Sequence, residues 1–215
     1  MDSGFSLLKG AQMPRVAVFI DGFNVYHALT CDPRTKKHRW LNLEQLAKCF
    51  LTSNDSLSEI YYFTALALWD ADKVVKHKTY ISALRTTSVQ PILGAFRRKD
   101  KYCTLCKREY PTYEEKRTDV NIAIKLFQTA IIDSWDTALI ISGDSDLIPA
   151  IEAVKKSFPS KQIGVIIPIG RRAEELKIVA DFHRKMKLKH LETSQFPEEI
   201  VLNGGGIIKK PLSWS

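Results

Sequence analysis

Cysteine is scarce in this sequence, with four residues among 215. Cys31, Cys49, Cys103 and Cys106 are too few and too unevenly spaced for a disulfide scaffold in a chain long enough to bury its own core. Apolar runs of the ~18 residues that a membrane span needs are also missing. A basic segment followed by a long apolar stretch, as in a secretory signal, is absent from the opening residues. We therefore expect a reduced, cytoplasmic protein without membrane contact.

Acidic residues are outnumbered by basic ones. The chain has 32 Lys and Arg against 24 Asp and Glu, a formal net charge of +8 and a pI near 9.3. This excess favours polyanionic partners such as nucleic acid, although a basic surface without a ligand has the same composition. The length favours one domain, no internal repeat is found, and a homo-oligomer is compatible with the sequence.

Apolar strand-like runs alternate with segments of helical periodicity through most of the chain. The sequence predicts strands at 15–20, 59–68, 89–96, 137–141 and 162–167. It predicts helices at 23–29, after an N-cap at Asn42, at 72–84, from Thr118, at 147–156 and at 171–182. Near-continuous apolar strands separated by helices are typical of a parallel sheet covered on both faces. The predicted fold class is therefore three-layer α/β.

The helix from Thr118 carries the most specific predictions about packing. Thr118 suits the N-cap position, and Asp119 lies in the first turn. The apolar residues predicted to face the core are Val120, Ala123, Ile124, Phe127, Ala130 and Ile131. Most aromatic side chains are also predicted to be core rather than base-stacking residues. These are Tyr61, Tyr62, Phe63, Trp69 and Trp135.

Aspartates follow the predicted strands at what should be one edge of the sheet. Asp21 follows the first strand, and Asp144 and Asp146 follow the strand at 137–141. Asp119 opens a helix expected to begin on the same side. In an open parallel sheet, ligands bind beyond the carboxyl ends of the strands. Taken singly, each aspartate is equally compatible with a turn, a first helical turn or an N-cap.

Four carboxylates at one edge would repel one another unless a cation neutralised them. Oxygen ligands without histidine or thiolate suit Mg²⁺ or Mn²⁺ better than zinc. Such ions can activate a water molecule and stabilise the leaving oxygen in phosphodiester cleavage. The pattern therefore predicts a metal-dependent phosphodiesterase site.

Four segments occur in the order that a known family has them. They are AVFIDGFNVYHAL at 17–29, EEKRTDVNIAIKL at 114–126, ALIISGDSDLIPAI at 138–151 and IGVIIPIGRRAEELKIVADFH at 163–183. On these motifs the chain, over about residues 15–185, resembles the NYN domain family, the LabA-like branch of the PIN-like nucleases. One departure is Arg117, which stands before Thr118 where many relatives carry a small residue such as glycine.

The resemblance implies a PIN-like, Rossmann-like sheet and metal-dependent endoribonuclease chemistry. The motif aspartates that it assigns to metal match Asp21, Asp119, Asp144 and Asp146. Asn24 matches the polar residue that accompanies the first aspartate. We assign Asn24 to orienting a metal-bound water molecule or a phosphate, since an amide does both without adding charge.

A polar and basic segment at 97–113 interrupts the alternation and is predicted to form an inserted hairpin or knuckle. Cys103-x-x-Cys106 is half of a zinc site, which needs four ligands. The remaining candidates are Cys31, Cys49, His38 and His77. The alternative is a reduced cysteine pair in a loop.

Basic residues in this segment and on the predicted site edge are candidates for phosphate contacts. They are Arg97, Arg98, Lys99, Lys101, Lys107, Arg108, Lys116, Arg171 and Arg172. A solvated surface is the alternative for each. Tyr102 and Tyr110 lie among them and are the predicted base-stacking residues.

The sequence divides into an extension at 1–14, a nuclease domain at 15–190 and a tail at 191–215, with a flexible link at 203–206. It predicts a Mg²⁺- or Mn²⁺-dependent nuclease that prefers RNA. One alternative is a nucleic-acid-binding or regulatory module with a vestigial metal site. A phosphatase of the aspartyl-phosphate type is disfavoured, because Phe23 stands where such enzymes carry a second aspartate.

Overall fold

A computed structural model of the protein describes residues 13–214, so the predicted extension lies almost wholly outside the described residues. The main sheet contains β1 (Arg15–Asp21), β2 (Ser56–Thr64), β3 (Val89–Leu93), β6 (Thr137–Ile141), β7 (Gln162–Ile167) and β8 (Phe182–Lys185). Two hairpins are formed by β4 (Ala95–Tyr102) with β5 (Glu109–Lys116), and by β9 (Glu199–Val201) with β10 (Ile207–Lys209). The α-helices are α1 (Gly22–Thr30), α2 (Pro33–Lys36), α3 (Leu43–Lys48), α4 (Ala71–Leu84), α5 (Thr118–Ile131), α6 (Ile148–Ser157), α7 (Glu174–Val179) and α8 (Leu188–Glu192). Within residues 13–214, none of these helices has the length and apolar content that a bilayer crossing requires.

The main sheet is parallel throughout, with the strand order β3-β2-β1-β6-β7-β8. The chain builds outward from β1 on one side and then returns to build outward from β6 on the other. This reversal opens a crevice at the carboxyl ends of β1 and β6. Ile20 pairs with Ile141, so the residues that follow these two strands lie side by side.

Two apolar layers cover the sheet because alternate residues of a strand point to opposite faces. On β1, Val18 and Ile20 pack with residues of α1, α3 and α4. Ala17 and Phe19, on the opposite face, pack with residues of α5, α6 and α7. The predicted three-layer fold, with helices on both faces of a parallel sheet, is therefore confirmed.

The face that α5 buries differs from the predicted one. Its buried apolar residues are Ile122, Leu126 and Ala130. Val120, Ile124 and Ile131 are 59%, 51% and 60% exposed, so their assignment to the core was wrong. The helix is apolar on two sides, and periodicity alone does not reveal which side meets the sheet.

The start of α5 also differs from the prediction that Thr118 is its N-cap. Thr118 is the first helical residue, and its backbone N–H donates to Oε1 of Glu115 at 3.0 Å. The residue before it, Arg117, has φ of 79°, in the left-handed region. Only glycine adopts this region without steric cost, so Arg117 holds a strained backbone conformation at the start of α5.

Gly94 divides the predicted strand at 89–96 into β3 and β4. A Cβ atom at Gly94 would lie 2.8 Å from Oγ1 of Thr118 and 2.9 Å from the carbonyl oxygen of Lys116. The chain then leaves the sheet as the β4-β5 hairpin, which is one of the two forms predicted for this segment. The predicted strand at 59–68 likewise ends early, at Thr64.

The far edge of the sheet holds a strand that the sequence did not predict. Residues Phe182–Lys185 form β8, which pairs in parallel with β7, and the helix predicted at 171–182 covers only Glu174–Val179. The segment FHRK is charged because an edge strand is solvated on one side, so it has no apolar signature.

The last described residues pack against the core through Trp40. The ring of Phe196 lies 5.6 Å from the ring of Trp40, and the ring of Trp214 lies 6.2 Å from it. Trp40 Nε1 donates to the carbonyl oxygen of Pro197 at 2.7 Å. Residues 203–206, predicted as a link, form the turn between β9 and β10.

Candidate functional site

Asp21 ends β1 and caps α1, which begins at the next residue. Its side chain is 2% exposed, and Oδ1 accepts the backbone N–H groups of Phe23 and Asn24 at 3.1 and 3.0 Å. Gly22 makes the turn feasible, because a Cβ atom there would lie 2.5 Å from the carbonyl oxygen of Phe63. The aspartate is thus held at the carboxyl edge of the sheet by backbone contacts.

Asn24 links the β1 turn to the turn after β6. Its Nδ2 donates to Oδ2 of Asp21 at 2.7 Å, and its Oδ1 accepts the backbone N–H of Gly143 at 3.2 Å. Both ends of the amide therefore contact protein groups. This geometry indicates a positioning residue that holds the two aspartate-bearing turns together.

Ser142 is the residue of this site that sequence reasoning missed. It is fully buried, and its hydroxyl donates to Oδ2 of Asp21 at 2.8 Å. The same hydroxyl accepts the backbone N–H of Asp144 at 3.1 Å. The available signal was its position as the first residue of SGDSD, directly after an apolar strand and two residues before Asp144.

Asp144 and Asp146 lie in the turn that follows β6. Oδ1 of Asp144 accepts the backbone N–H of Asp146 at 3.0 Å, which caps a short 3₁₀ turn at Ser145–Leu147. Asp144 is half-buried, whereas Asp146 is exposed. Asp144 therefore faces the crevice more directly than Asp146 does.

Three of the four predicted aspartates meet in the crevice. One carboxylate oxygen each from Asp21, Asp119 and Asp144 lies within 4.8 Å of the other two. Asp146 is outside this group, although its charge still acts on Asp119. The three come from β1, from the turn after β6 and from the first turn of α5, so tertiary folding alone brings them together.

The electrostatics of this cluster show uncompensated negative charge. Burial, followed by the charges of Asp144 and Asp21, raises the pKa of Asp119 to about 6. Glu115 and Asp146 contribute further in the same direction. Among residues 13–214, no lysine or arginine forms a salt bridge with Asp21, Asp119 or Asp144. A cation is the simplest group that would relieve this repulsion.

The predicted phosphate-contacting residues lie at different distances from this cluster. Arg171 is beside it, because its Cβ atom lies 3.4 Å from the Cβ position of Gly143. Arg172 is exposed in the same loop before α7, and Lys116 ends β5 just before the helix that bears Asp119. Lys107 and Arg108 lie in the turn of the β4-β5 hairpin, ~20 Å from its base at the strand rise per residue.

The two cysteines of the hairpin turn form a compact loop. The backbone N–H of Cys106 donates to Sγ of Cys103 at 3.5 Å, and backbone hydrogen bonds from Cys106 and Leu105 lower the pKa of Cys103. Within the described residues, no third Cys, His, Asp or Glu side chain joins them in a metal-sized group. His77 is instead bonded to Thr64 at 3.2 Å. Within the described residues, the pair therefore supplies two of the four ligands that a structural zinc site needs.

Trp69 was wrongly predicted to be a core residue. It is 40% exposed and lies parallel to Tyr113, with ring centroids 3.7 Å apart. Tyr61, Tyr62, Phe63 and Trp135 are buried as predicted. The predicted stacking residues Tyr102 and Tyr110 are exposed on the outer part of the hairpin.

Comparison with known proteins identifies the family. A family model described as the NYN domain matches residues 15–187. The chain belongs to the NYN domain family. This NYN domain contains the four motifs on which the resemblance was based, and the membership supports a nuclease-type function.

Two individual proteins are similar to this NYN domain. One, from Pseudomonas putida, is named a 6-hydroxy-3-succinoylpyridine 3-monooxygenase and is 26% identical over 241 residues, covering 93% of this chain and 75% of the relative. The other is a crystal structure of a Vibrio parahaemolyticus protein of unknown function, with a TM-score of 0.57 and 16% identity. That match covers 84% of this chain and 97% of the other, and it shows a shared fold.

Proposed function

We propose that this NYN domain is a Mg²⁺- or Mn²⁺-dependent endoribonuclease. The observation that carries the proposal is the group of three carboxylates, Asp21, Asp119 and Asp144, within 4.8 Å of one another and without a salt-bridged cation in the described residues. They lie at the switch in strand order, where ligands of open parallel sheets bind.

The donor set fits a hard divalent cation. Three carboxylates without histidine or thiolate match the preference of Mg²⁺ and Mn²⁺ for oxygen ligands. In our proposal Asp21, Asp119 and Asp144 ligate the ion, and the more exposed Asp146 acts through water. An ion held there would supply charge to polarise the scissile phosphate and to activate water, so the proposal requires no protein nucleophile.

The surrounding residues orient the carboxylates and hold the strand. Asn24 and Ser142 each bond both Asp21 and the turn after β6, which sets the separation between Asp21 and Asp144. In our proposal Arg171, Arg172 and Lys116 bind the phosphates on either side of the scissile bond. Guanidinium groups suit this role because they donate two parallel hydrogen bonds to phosphate oxygens.

Two other functions are compatible with the family or with a relative. The first is a nucleic-acid-binding module that does not cleave, and the second is suggested by the name of the Pseudomonas putida monooxygenase. The uncompensated charge at the crevice favours the nuclease over the binding module. A binding module has no need of three close carboxylates, and a phosphodiester reaction with a divalent cation uses all of them.

The test is cleavage of a mixed pool of single-stranded and structured RNA by the purified full chain. Reactions contain Mn²⁺, Mg²⁺ or a chelator, and Asp144→Asn is compared with Asp133→Asn. Asp133 is the matched control because it is an exposed aspartate outside the crevice, bonded to Lys161 and Arg15. We expect metal-dependent cleavage by the wild type and Asp133→Asn and its loss in Asp144→Asn.

Three results would contradict the proposal. Cleavage that persists in the chelator would show that the reaction does not depend on a metal ion. Equal cleavage by both variants would show that Asp144 does not take part in the reaction. Intact RNA in every lane, together with retained RNA binding, would favour the binding module. A parallel assay for hydroxylation of 6-hydroxy-3-succinoylpyridine tests the function that the relative's name denotes.

A further inference from the structure

An open pocket lined by aromatic side chains lies at the base of the β4-β5 hairpin. Its volume is about 500 Å³, and Trp69, Phe96 and Tyr113 line it. The rings of Trp69 and Tyr113 are parallel within 5° at 3.7 Å, and Phe96 meets Trp69 edge-on at 4.7 Å. Leu93, beside them, is also exposed. Aromatic surface left open in this way marks a binding site more often than an exposed single side chain does.

Two residues of the pocket wall contact residues that lie next to the aspartates in the chain. Phe96 contacts Phe23 edge-on at 5.3 Å, and the backbone N–H of Phe23 donates to Asp21. Gly94, in the pocket wall, packs so closely on Thr118 that its Cβ position is 2.8 Å from Oγ1. Asp119 directly follows Thr118 in the chain. The pocket wall is therefore in contact with the segments that hold Asp21 and Asp119.

The hairpin around the pocket is basic. Residues 95–117 contain eight Lys and Arg against four Asp and Glu. Glu114 is shared among Lys99, Lys101 and Lys116, at 3.3, 3.8 and 3.3 Å, so one carboxylate faces three ammonium groups. Arg98 itself lines the pocket. An aromatic surface within positive charge matches a ligand that is both planar and anionic, as a nucleotide in a strand is.

We propose that this pocket binds one unpaired nucleobase of the strand whose phosphate lies at the carboxylates. The proposal rests on the nuclease function above and adds a substrate class to it. A base packs against the aromatic rings only when its faces are free, so the pocket selects single-stranded RNA over duplex. Because every base has a π-face, the selection is for an unpaired position and not for a sequence.

The first measurement is binding of a fluorescently labelled single-stranded RNA, by anisotropy in a chelator, so that cleavage does not interfere. Tyr113→Leu keeps apolar volume and removes the ring, whereas Tyr113→Phe keeps the ring. Loss of one base stack should weaken binding about 5- to 150-fold in Tyr113→Leu. Tyr113→Phe should stay within about twofold of the wild type.

The second measurement locates the base. An abasic residue is moved along the RNA, and each position is combined with Tyr113→Leu in a double-mutant cycle. At one position we expect the abasic change to weaken wild-type binding and to add nothing further in Tyr113→Leu. Thermal unfolding of each variant verifies that it is folded, and Trp69→Leu against Trp69→Phe provides a second pair.

The outcomes separate this proposal from the nuclease. Effects that add at every position, or equal affinity of Tyr113→Leu and the wild type, would overturn the base pocket even if the protein cleaves RNA. Coupling at one position, together with no cleavage in Mn²⁺, would support the pocket and overturn the nuclease. If a free mononucleotide binds as tightly as the oligonucleotide, the proposal that the pocket binds a base within an RNA strand is overturned.

Discussion

The two ends of the parallel sheet treat aspartate in opposite ways. At the amino ends of the strands, Asp133 and Asp136 are bonded to Arg15 at 3.2 and 2.8 Å, and Asp133 is also bonded to Lys161 at 2.6 Å. At the carboxyl ends, Asp21, Asp119 and Asp144 face one another without such a partner in the described residues. The same residue type is therefore paired with basic side chains at one edge and set against other carboxylates at the other.

The pKa shifts follow this difference in sign. Hydrogen bonds from Lys161 and then Arg15 lower the pKa of Asp133, and the hydrogen bond from Arg15 lowers the pKa of Asp136. Burial and the neighbouring carboxylates raise the pKa of Asp119. Carboxylates kept close without a counter-charge are typical of sites that bind a cation, whereas carboxylates paired with basic side chains are typical of ion pairs that stabilise the fold.

The largest expected effect is on cleavage, and it should be confined to one end of the sheet. Asp21→Asn removes a ligand charge but keeps the shape of the side chain, so we expect cleavage to fall by at least about 10²- to 10³-fold. Asp136→Asn, at the other end, should leave the cleavage rate of folded protein unchanged. Initial rates with saturating Mn²⁺ measure both, and a comparable loss in the two variants would end the comparison.

Metal binding should stabilise the folded protein through the aspartates at the carboxyl ends of the strands. At a concentration of Mn²⁺ 100 times the dissociation constant, binding to the folded state adds about 2.7 kcal/mol to the free energy of unfolding. We expect this increase in the wild type and in Asp136→Asn, and its loss in Asp144→Asn. Thermal unfolding with and without Mn²⁺ measures it, and an equal shift in Asp144→Asn would place the metal elsewhere.

At the amino ends of the strands, the stability of the protein should depend on the buried ammonium group of Lys161. Lys161 has a side chain 6% exposed, and Nζ donates to Asp133 and to the carbonyl oxygen of Trp135, both at 2.6 Å. Lys161→Met leaves that buried carbonyl without a partner, which should lower the free energy of unfolding by about 1–3 kcal/mol. Denaturant unfolding measures the loss. Lys116→Met, at an exposed position, is the control and should cost far less.

The sequence predicts the centre of the sheet better than its edge. The strands at the centre of the sheet were predictable because they are buried on both faces and therefore continuously apolar, as in Thr137–Ile141. Asp21 and Asp144 were predictable because each directly follows such a strand. The edge strand Phe182–Lys185 was not predictable, since solvation on one side removes that signal.

The contacts that orient the site were beyond the sequence. Ser142 bonds Asp21 across 121 positions of the chain, and no local pattern reports such a contact. The inward face of α5 was predicted wrongly because its exposed side is also apolar, as Val120 and Ile124 show. The aromatic pocket was missed for a related reason, since Trp69 and Tyr113 are far apart in sequence and meet only when the hairpin folds back.

The smallest effect, and the sharpest test of the contrast, is the pH dependence of stability without metal. The folded state of Asp119 has a pKa of about 6, above the ordinary value of about 3.9. Between these pH values the folded protein binds more protons than the unfolded one. The ionisation of Asp119 therefore lowers the free energy of unfolding as pH rises from about 4 to 6. Asp136, whose pKa is lowered, acts in the opposite sense, with stability lost as pH falls below 4.

Asp119→Asn should therefore stabilise the metal-free protein at pH 7–8, by about 1–2 kcal/mol once solvent screening of a half-buried group is considered. At pH 4 the variant and the wild type should have the same stability, because Asp119 is then protonated in the folded state. Denaturant unfolding across this range in a chelator measures the difference. Because the ion would neutralise the same charge, saturating Mn²⁺ should reverse the order at pH 7–8, with the wild type the more stable. A variant that is destabilised at pH 7 without metal would mean that Asp119 is held by partners, as Asp136 is, and that the carboxyl end is not poised for a cation.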